Sequence, residues 1–151
     1  MDRFDKELLR HLQADASMSN AAIGDRIGLS ASQISRRRTR LETQGVISRY
    51  RAELNPASVG LGLDAFVKVR LHSHSKASSV NFRELVSSLA AVRLACAITG
   101  DADYLLHVRL KDLQALAAFI NEQLLAHPDV NEVRSDVVLE LLKDDSTIQL
   151  D

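Results

Sequence analysis

The sequence predicts an α+β protein in two parts, and three observations carry that reading. Apolar residues recur with a helical period through the first third of the chain and with a period of two after it. Pro56, one of two prolines, stands at the change and is followed by Gly60 and Gly62, the signature of a short extended hinge. The charge changes sign at the same place: residues 1–55 hold ten Lys/Arg and seven Asp/Glu, and residues 56–151 hold nine and thirteen. The expected organisation is a helical domain over 1–53, a linker over 54–61 and a second domain over 62–151, the two parts facing different partners. A chain of 151 residues fits one domain or two small ones and does not fit a large enzyme core.

In the first part, Phe4, Leu8, Leu9 and Leu12 share one face of a helix over about 3–14. Ser19 is a plausible N-cap for a second, two-turn helix carrying Ile23 and Ile27 and stopped by Gly28. Ser30-Ala31-Ser32-Gln33 has the capping-box form, so a third helix starts there and runs through Ile34, Arg38 and Leu41 to Gly45. The tight turn at Gly28-Leu29 makes the last two a helix-turn-helix. Residues Val46 to Leu54 mix β-branched, aromatic and basic types, which predicts a wing-like strand or hairpin.

In the second part, Ala65, Val67, Val69 and Leu71 alternate with Phe66, Lys68, Arg70 and His72, the pattern of a strand with two unlike faces. A helix around 79–90, strands at about 92–99 and 104–110, a helix at about 112–126 and a strand from Val130 to Leu142 follow. This strand-helix-strand-strand-helix-strand order is a split βαβ, ferredoxin-like unit with both helices on one sheet face. Phe66, Ala95 and Ala97 are expected on the other face, which a second copy would cover in a two-fold dimer.

The chemistry lies on the third helix. At about 100° per residue, Ile34 and Leu41 face inward, Arg37 and Arg38 flank them, and Ser32, Gln33, Arg36 and Arg40 face outward. Residues 30–41 carry four arginines and no acid, so their mutual repulsion is relieved best by a polyanion. Guanidinium groups bind phosphates or the O6/N7 edge of guanine, and Gln33 can read adenine. Arg49 and Arg51 on the following segment would add backbone contacts. Double-stranded DNA is therefore the expected partner, and a solvated basic helix face is the alternative.

Other chemistry is thinly represented. A single cysteine, Cys96, allows no intrachain disulfide and no multi-cysteine zinc site. His72 and His74 share a strand face without a third ligand at metal spacing, so no catalytic residue, metal or cofactor is expected. No apolar run reaches about 18 residues, and the charged N-terminus lacks the h-region of a signal peptide, so the chain reads as cytoplasmic, and DNA as the expected partner makes it nucleoid-associated.

Asp2-Arg3-Phe4-Asp5, Leu8-Leu9, Leu12-Gln13, Ile27-Gly28-Leu29-Ser30 and Arg40-Leu41-Glu42-Thr43-Gln44-Gly45-Val46-Ile47 resemble the N-terminal signature of the Lrp/AsnC transcriptional regulators. Thr99-Gly100-Asp101-Ala102-Asp103-Tyr104 resembles the Gly-x-x-Asp-Tyr turn of that family's amino-acid-sensing domain. The resemblance spans nearly the whole chain. It implies a DNA-binding domain joined to a ferredoxin-like domain that dimerises, often builds octamers, and binds small effectors such as amino acids between dimers; the sequence itself leaves dimer, tetramer and octamer open.

The implied effector residues are Thr99, Gly100, Asp101, Ala102, Asp103 and Tyr104, with Ser135 and Asp136 on the last strand. From the turn alone, Asp103 as a hairpin cap and Tyr104 as core stand as the alternative. The chain departs from the family pattern in three places. A proline common soon after the serine at the third helix's start is missing at Ser30 to Ile34, hydroxyl residues near the pocket become Val133 and Ser135, and Cys96 replaces a larger side chain. Base preference and ligand identity are therefore not carried over, although Asp136 would suit a basic ligand. The expected function is a sequence-specific, effector-responsive regulator; an architectural DNA-binding protein without effector and a small ferredoxin-like enzyme are the alternatives.

Overall fold

Side-chain caps set where the N-terminal helices begin, as a computed structural model describing residues 1–73, 75–144 and 147–151 makes explicit. Helix α1 (Arg3–Ala14) starts at Asp2, whose carboxylate accepts from the backbone N–H of Asp5, while Asp5 accepts in return from Asp2. Helix α2 (Asn20–Ile27) starts at Ser19 and ends at Gly28, whose φ of 76° is the left-handed cap that glycine favours. Helix α3 (Ala31–Thr43) begins with the expected capping box between Ser30 and Gln33. Leu8, Leu9, Leu12, Ile23, Ile34 and Leu41 interlock as one core, each such side chain contributing about 1.5–3 kcal/mol by burial.

Residues 44–55 form no strand, so the expected wing is not made. The reason is the absence of a partner: a β-rich composition gives no ladder unless a second strand satisfies its N–H and C=O groups.

The chain divides into two units, 1–53 with 143–151, and 54–142. The C-terminal residues, placed by sequence with the second domain, thus pack with the first. The Gln13 amide donates to the Ile148 carbonyl at 3.1 Å and accepts from the Ile148 N–H at 2.6 Å. The Arg10 guanidinium donates to the Leu150 carbonyl, and Leu150 joins the helical core.

The second unit opens at Pro56 with a 3₁₀ turn (Ala57–Val59) in place of an extended hinge. Strands β1 (Leu63–Leu71), β2 (Val92–Ala97), β3 (Tyr104–Leu110) and β4 (Val130–Val137) form one antiparallel sheet in the order β2-β3-β1-β4, the ferredoxin-like arrangement. Helix α4 (Lys76–Ser88) and helix α5 (Leu113–Ala118), which continues as a π-helical turn over Phe119–Leu124, cover one face. Phe82, Leu116, Phe119 and Leu124 pack there on Ala65, Val67, Val69, Leu106 and Val108.

Three details differ from expectation. Helix α4 begins three residues early because Ser75 accepts from Ser78 N–H as its N-cap. Strand β4 ends at Val137, and Leu139, Leu141 and Leu142 beyond it are exposed. A bulge between Val92 and Leu94 inverts the alternation along β2, so Ala95 and Ala97 stand opposite Leu106 and Tyr104 on the helix-covered face. Leu94 and Cys96, opposite His107 and Leu105, take the uncovered face beside Phe66.

Candidate DNA and effector sites

Helix α3 buries Ile34 and Leu41 and exposes Ser32, Gln33, Ser35, Arg36, Thr39 and Arg40. Its four arginines differ sharply in what holds them. Arg36 has no hydrogen-bond or ion-pair partner among the described residues. The Arg38 guanidinium lies 4.4 Å from the Tyr50 ring centre, donates to the Tyr50 hydroxyl at 2.7 Å and sits 3.5 Å from Glu42. Tyr50 in turn donates to Glu42 at 2.8 Å, and burial, then this bond, raises its pKa.

Arg37 and Arg40 converge on Asp5, a residue the sequence reading did not single out. The Asp5 carboxylate is 1% exposed and lies 2.7 Å from Arg37 Nη1 and 2.6 Å from Arg40 Nη2. Arg37 also reaches Asp2 at 2.8 Å and stands 5.5 Å over the Phe4 ring. Burial by itself pushes the Asp5 carboxyl up, but the Asp2 N–H and the two guanidinium groups outweigh it, so the pKa lies below the ordinary carboxylate value. Of the expected outward residues, Arg40 is thus shared between Asp5 and solvent, and the Gln33 carbonyl is engaged by the Ser30 N–H. Arg49 and Arg51 are exposed on an irregular segment and not on a strand.

The expected effector residues do not gather at one place. Thr99, Gly100 and Asp101 are exposed at the turn between β2 and β3, and Ala102 is buried beneath it. Asp103 accepts from the Leu71 N–H at 2.8 Å, at the bulge in β1, while its own N–H donates to Val69 at 3.0 Å. Tyr104 packs against Phe82, ring centres 4.6 Å apart, on the covered face. Ser135 pairs with Val67 on that covered face and Asp136 with Phe66 on the other, so these two neighbours point to opposite sides.

On the uncovered face, Lys68, Arg70, Glu132 and Arg134 stand beside Asp101 and Ala102 around a shallow depression. Arg70 donates to the Asp101 carbonyl and lies 3.8 Å from Glu132, which Arg134 contacts at 2.7 Å. Lys68 is directly opposite Arg134 across the β1–β4 ladder, and it has no ion-pair partner among the described residues. Like charges placed so are unfavourable unless an anion joins them. At the far end of this face, Asp64 bridges His107 at 2.7 Å and Arg109 at 2.9 Å, and the His107 ring stacks on Phe66 at 5.1 Å. No group of described residues has the composition of a metal site, and His74 lies outside the described residues.

Residues 1–42 match the model of the AsnC-type helix-turn-helix domain, and residues 64–148 match that of the Lrp/AsnC ligand binding domain. The chain belongs to the Lrp/AsnC family of transcriptional regulators. The leucine-responsive regulatory protein of Escherichia coli K12 is 36% identical over 143 residues, 95% of this chain and 87% of that protein. A transcriptional regulator from Neisseria meningitidis, solved as its L-Met complex, superposes with a TM-score of 0.95 at 33% identity, covering 99% and 96% of the two chains. An AsnC family transcriptional regulator from Agrobacterium tumefaciens gives 0.92 at 34% identity, covering 99% and 97%. For this Lrp/AsnC protein, the helix-turn-helix match contains all four arginines of α3, and the ligand-domain match contains the 99–104 turn and the charged depression beside it. No described helix is long and apolar enough to cross a membrane.

Sequence reasoning missed Asp5, although a signal was present: it stands three, four and seven residues before Leu8, Leu9 and Leu12, an acid on the apolar stripe. Lys68, Arg70, Glu132 and Arg134 left no comparable trace, because their grouping depends on the register between β1 and β4.

Proposed function

We infer that this Lrp/AsnC chain is a sequence-specific DNA-binding regulator, not an enzyme, whose helix α3 enters the major groove and whose binding answers to an amino acid held near the 99–104 turn. The observation that carries the DNA reading is Arg36. It is a guanidinium group on an exposed polar helix face with no partner of its own among the described residues, free to fork onto a base edge or a phosphate. Ser32, Gln33, Arg40 and Arg49 complete the proposed interface, and Arg37, expected there from the sequence, is drawn back from it by Asp2 and Asp5. The effector reading draws support from Lys68, opposite Arg134 and without an ion-pair partner among the described residues, which suits a carboxylate, and from the neisserial relative's L-Met. Exposed Phe66 and Leu94 on the uncovered sheet face support assembly with a second copy, as a dimer or a larger ring, working on DNA in the cytoplasm.

The test starts from duplexes selected out of a random pool by the full-length protein. The selected site should bind about 10³-fold or more tighter than a scrambled duplex. Arg36→Ala should weaken that site by about 1–3 kcal/mol without loss of folded protein. Equal affinity for both duplexes would leave an architectural binder, and an Arg36→Ala protein with unaltered affinity would remove α3 from the interface. Calorimetric titration with the twenty amino acids tests the effector arm; heat lost in Lys68→Ala places the carboxylate, and no heat from any of them defeats that arm.

A further inference from the structure

Helix α3 carries four arginines, yet the structure withholds most of that charge from solution. Arg38 is held by Glu42 and Tyr50 on its own side of the helix. Arg37, with 19% of its side chain exposed, lies between Asp2 and Asp5. Arg40 is different, because 47% of it remains exposed while its Nη2 sits 2.6 Å from both Asp5 carboxylate oxygens. Asp5 itself is fixed twice over: by reciprocal bonds with Asp2 in the α1 capping box, and by its burial next to the core leucines. A rigid, buried anion therefore grips Arg40 at one end, leaving the remainder of the guanidinium in a single orientation on the exposed face.

Resting on the DNA reading above, we propose that Asp5, although it never meets DNA, is a specificity-determining positioning residue. It withdraws Arg37 and aims Arg40, so that α3 presents an ordered pair, Arg36 and Arg40, in place of a mobile cluster of cations. The physical ground is the difference between the two kinds of DNA contact. Mobile cations find phosphates on any sequence, and each phosphate neutralised steepens the salt dependence. A guanidinium held in one place reaches a base edge only where the right base stands. With Asp5 neutral, Arg40 loses its only carboxylate partner among the described residues and Arg37 keeps Asp2 alone. Both then become ordinary phosphate ligands.

The test compares the full-length protein with Asp5→Asn by fluorescence anisotropy on the selected site and on a scrambled duplex between about 50 and 200 mM salt. Asp5→Asn should bind the scrambled duplex with a log K against log salt slope steeper by about 1–2, one or two added phosphates at roughly 0.9 each, and its preference for the selected site should fall about tenfold or more. A purely structural Asp5 would lower the melting temperature and leave slope and preference alone, which overturns the proposal. Arg40→Gln keeps the test open should Asp5→Asn not fold. It should lose affinity for the selected site while leaving the scrambled-duplex slope unchanged. An equal loss on both duplexes, with the slope flattened by about 0.9, makes Arg40 a plain phosphate contact and overturns the proposal as well. Wild-type protein that prefers neither duplex sinks the sequence-specific reading on which this proposal rests; wild type that discriminates while both variants match it sinks only this assignment.

Discussion

Replacing Asp103 with alanine separates two roles that one side chain in the 99–104 turn can play. The family resemblance makes Asp103 an effector ligand, but its carboxylate accepts from the Leu71 N–H at 2.8 Å, and Leu71 is 4% exposed at a point where the β1–β4 register shifts. Alanine leaves that N–H without an acceptor in a place water does not reach, at a cost of about 1–3 kcal/mol. In a domain of this size each kcal/mol moves the midpoint by about 4–8 °C, so a fall on the order of 4–24 °C is expected. Asp103→Asn keeps a carbonyl oxygen in the same position and should cost less than about 1 kcal/mol. Scanning calorimetry of the full chain measures both, and titration with whichever amino acid gives heat with the wild type follows on the proteins that remain folded. An Asp103→Ala protein as stable as wild type would refute the structural role. Should Asp103→Asn be stable but deaf to the effector, the charge meets the ligand and the residue serves both purposes.

Two further outcomes follow from the helical unit. Gly24→Ala would normally stabilise a helix by about 1 kcal/mol, but a Cβ there runs into the backbone carbonyl oxygen of Leu29, so urea denaturation should show a loss of about 1–3 kcal/mol. A gain in stability would show that α2 and the turn do not approach so closely. Because the Asp5 pKa lies below its unfolded value of about 3.9, its contribution is complete above that pH and is lost as the pH falls through the folded pKa. The helical circular dichroism signal should therefore weaken below about pH 4 under mild denaturant, and less steeply in Asp5→Asn. Identical acid profiles would argue that the Asp5 cluster adds nothing to folding.

What the sequence made legible follows from how local each cause is. Capping residues lie three positions from the N–H groups they satisfy, so the starts of α2 and α3 were visible at Ser19 and Ser30, and the same local signal stood unread at Asp2 for α1. Strand β1 was visible for the same reason, since its two faces alternate residue by residue. Features set by a partner distant in sequence were not. The β2 bulge moves Ala95 and Ala97 across the sheet by one inserted residue, and only the ladder with β3 reveals it. Residues 46–54 have strand-like composition without a strand to pair with, so composition misled there.

The arginines of α3 combine both cases. Helical spacing correctly set Arg36 and Arg40 apart from Ile34 and Leu41, but spacing treats every outward cation alike. Which of them is available depends on carboxylates more than thirty residues earlier, at Asp2 and Asp5, and on Tyr50 beyond the helix. A basic helix face is thus a weaker statement than it looks from sequence. Its formal charge limits how many phosphates it can neutralise, while the acids packed behind it decide which guanidinium groups move freely and which can only point one way. For a protein that must find one site among many, that second quantity matters more, because every freed cation adds to the affinity for all DNA equally.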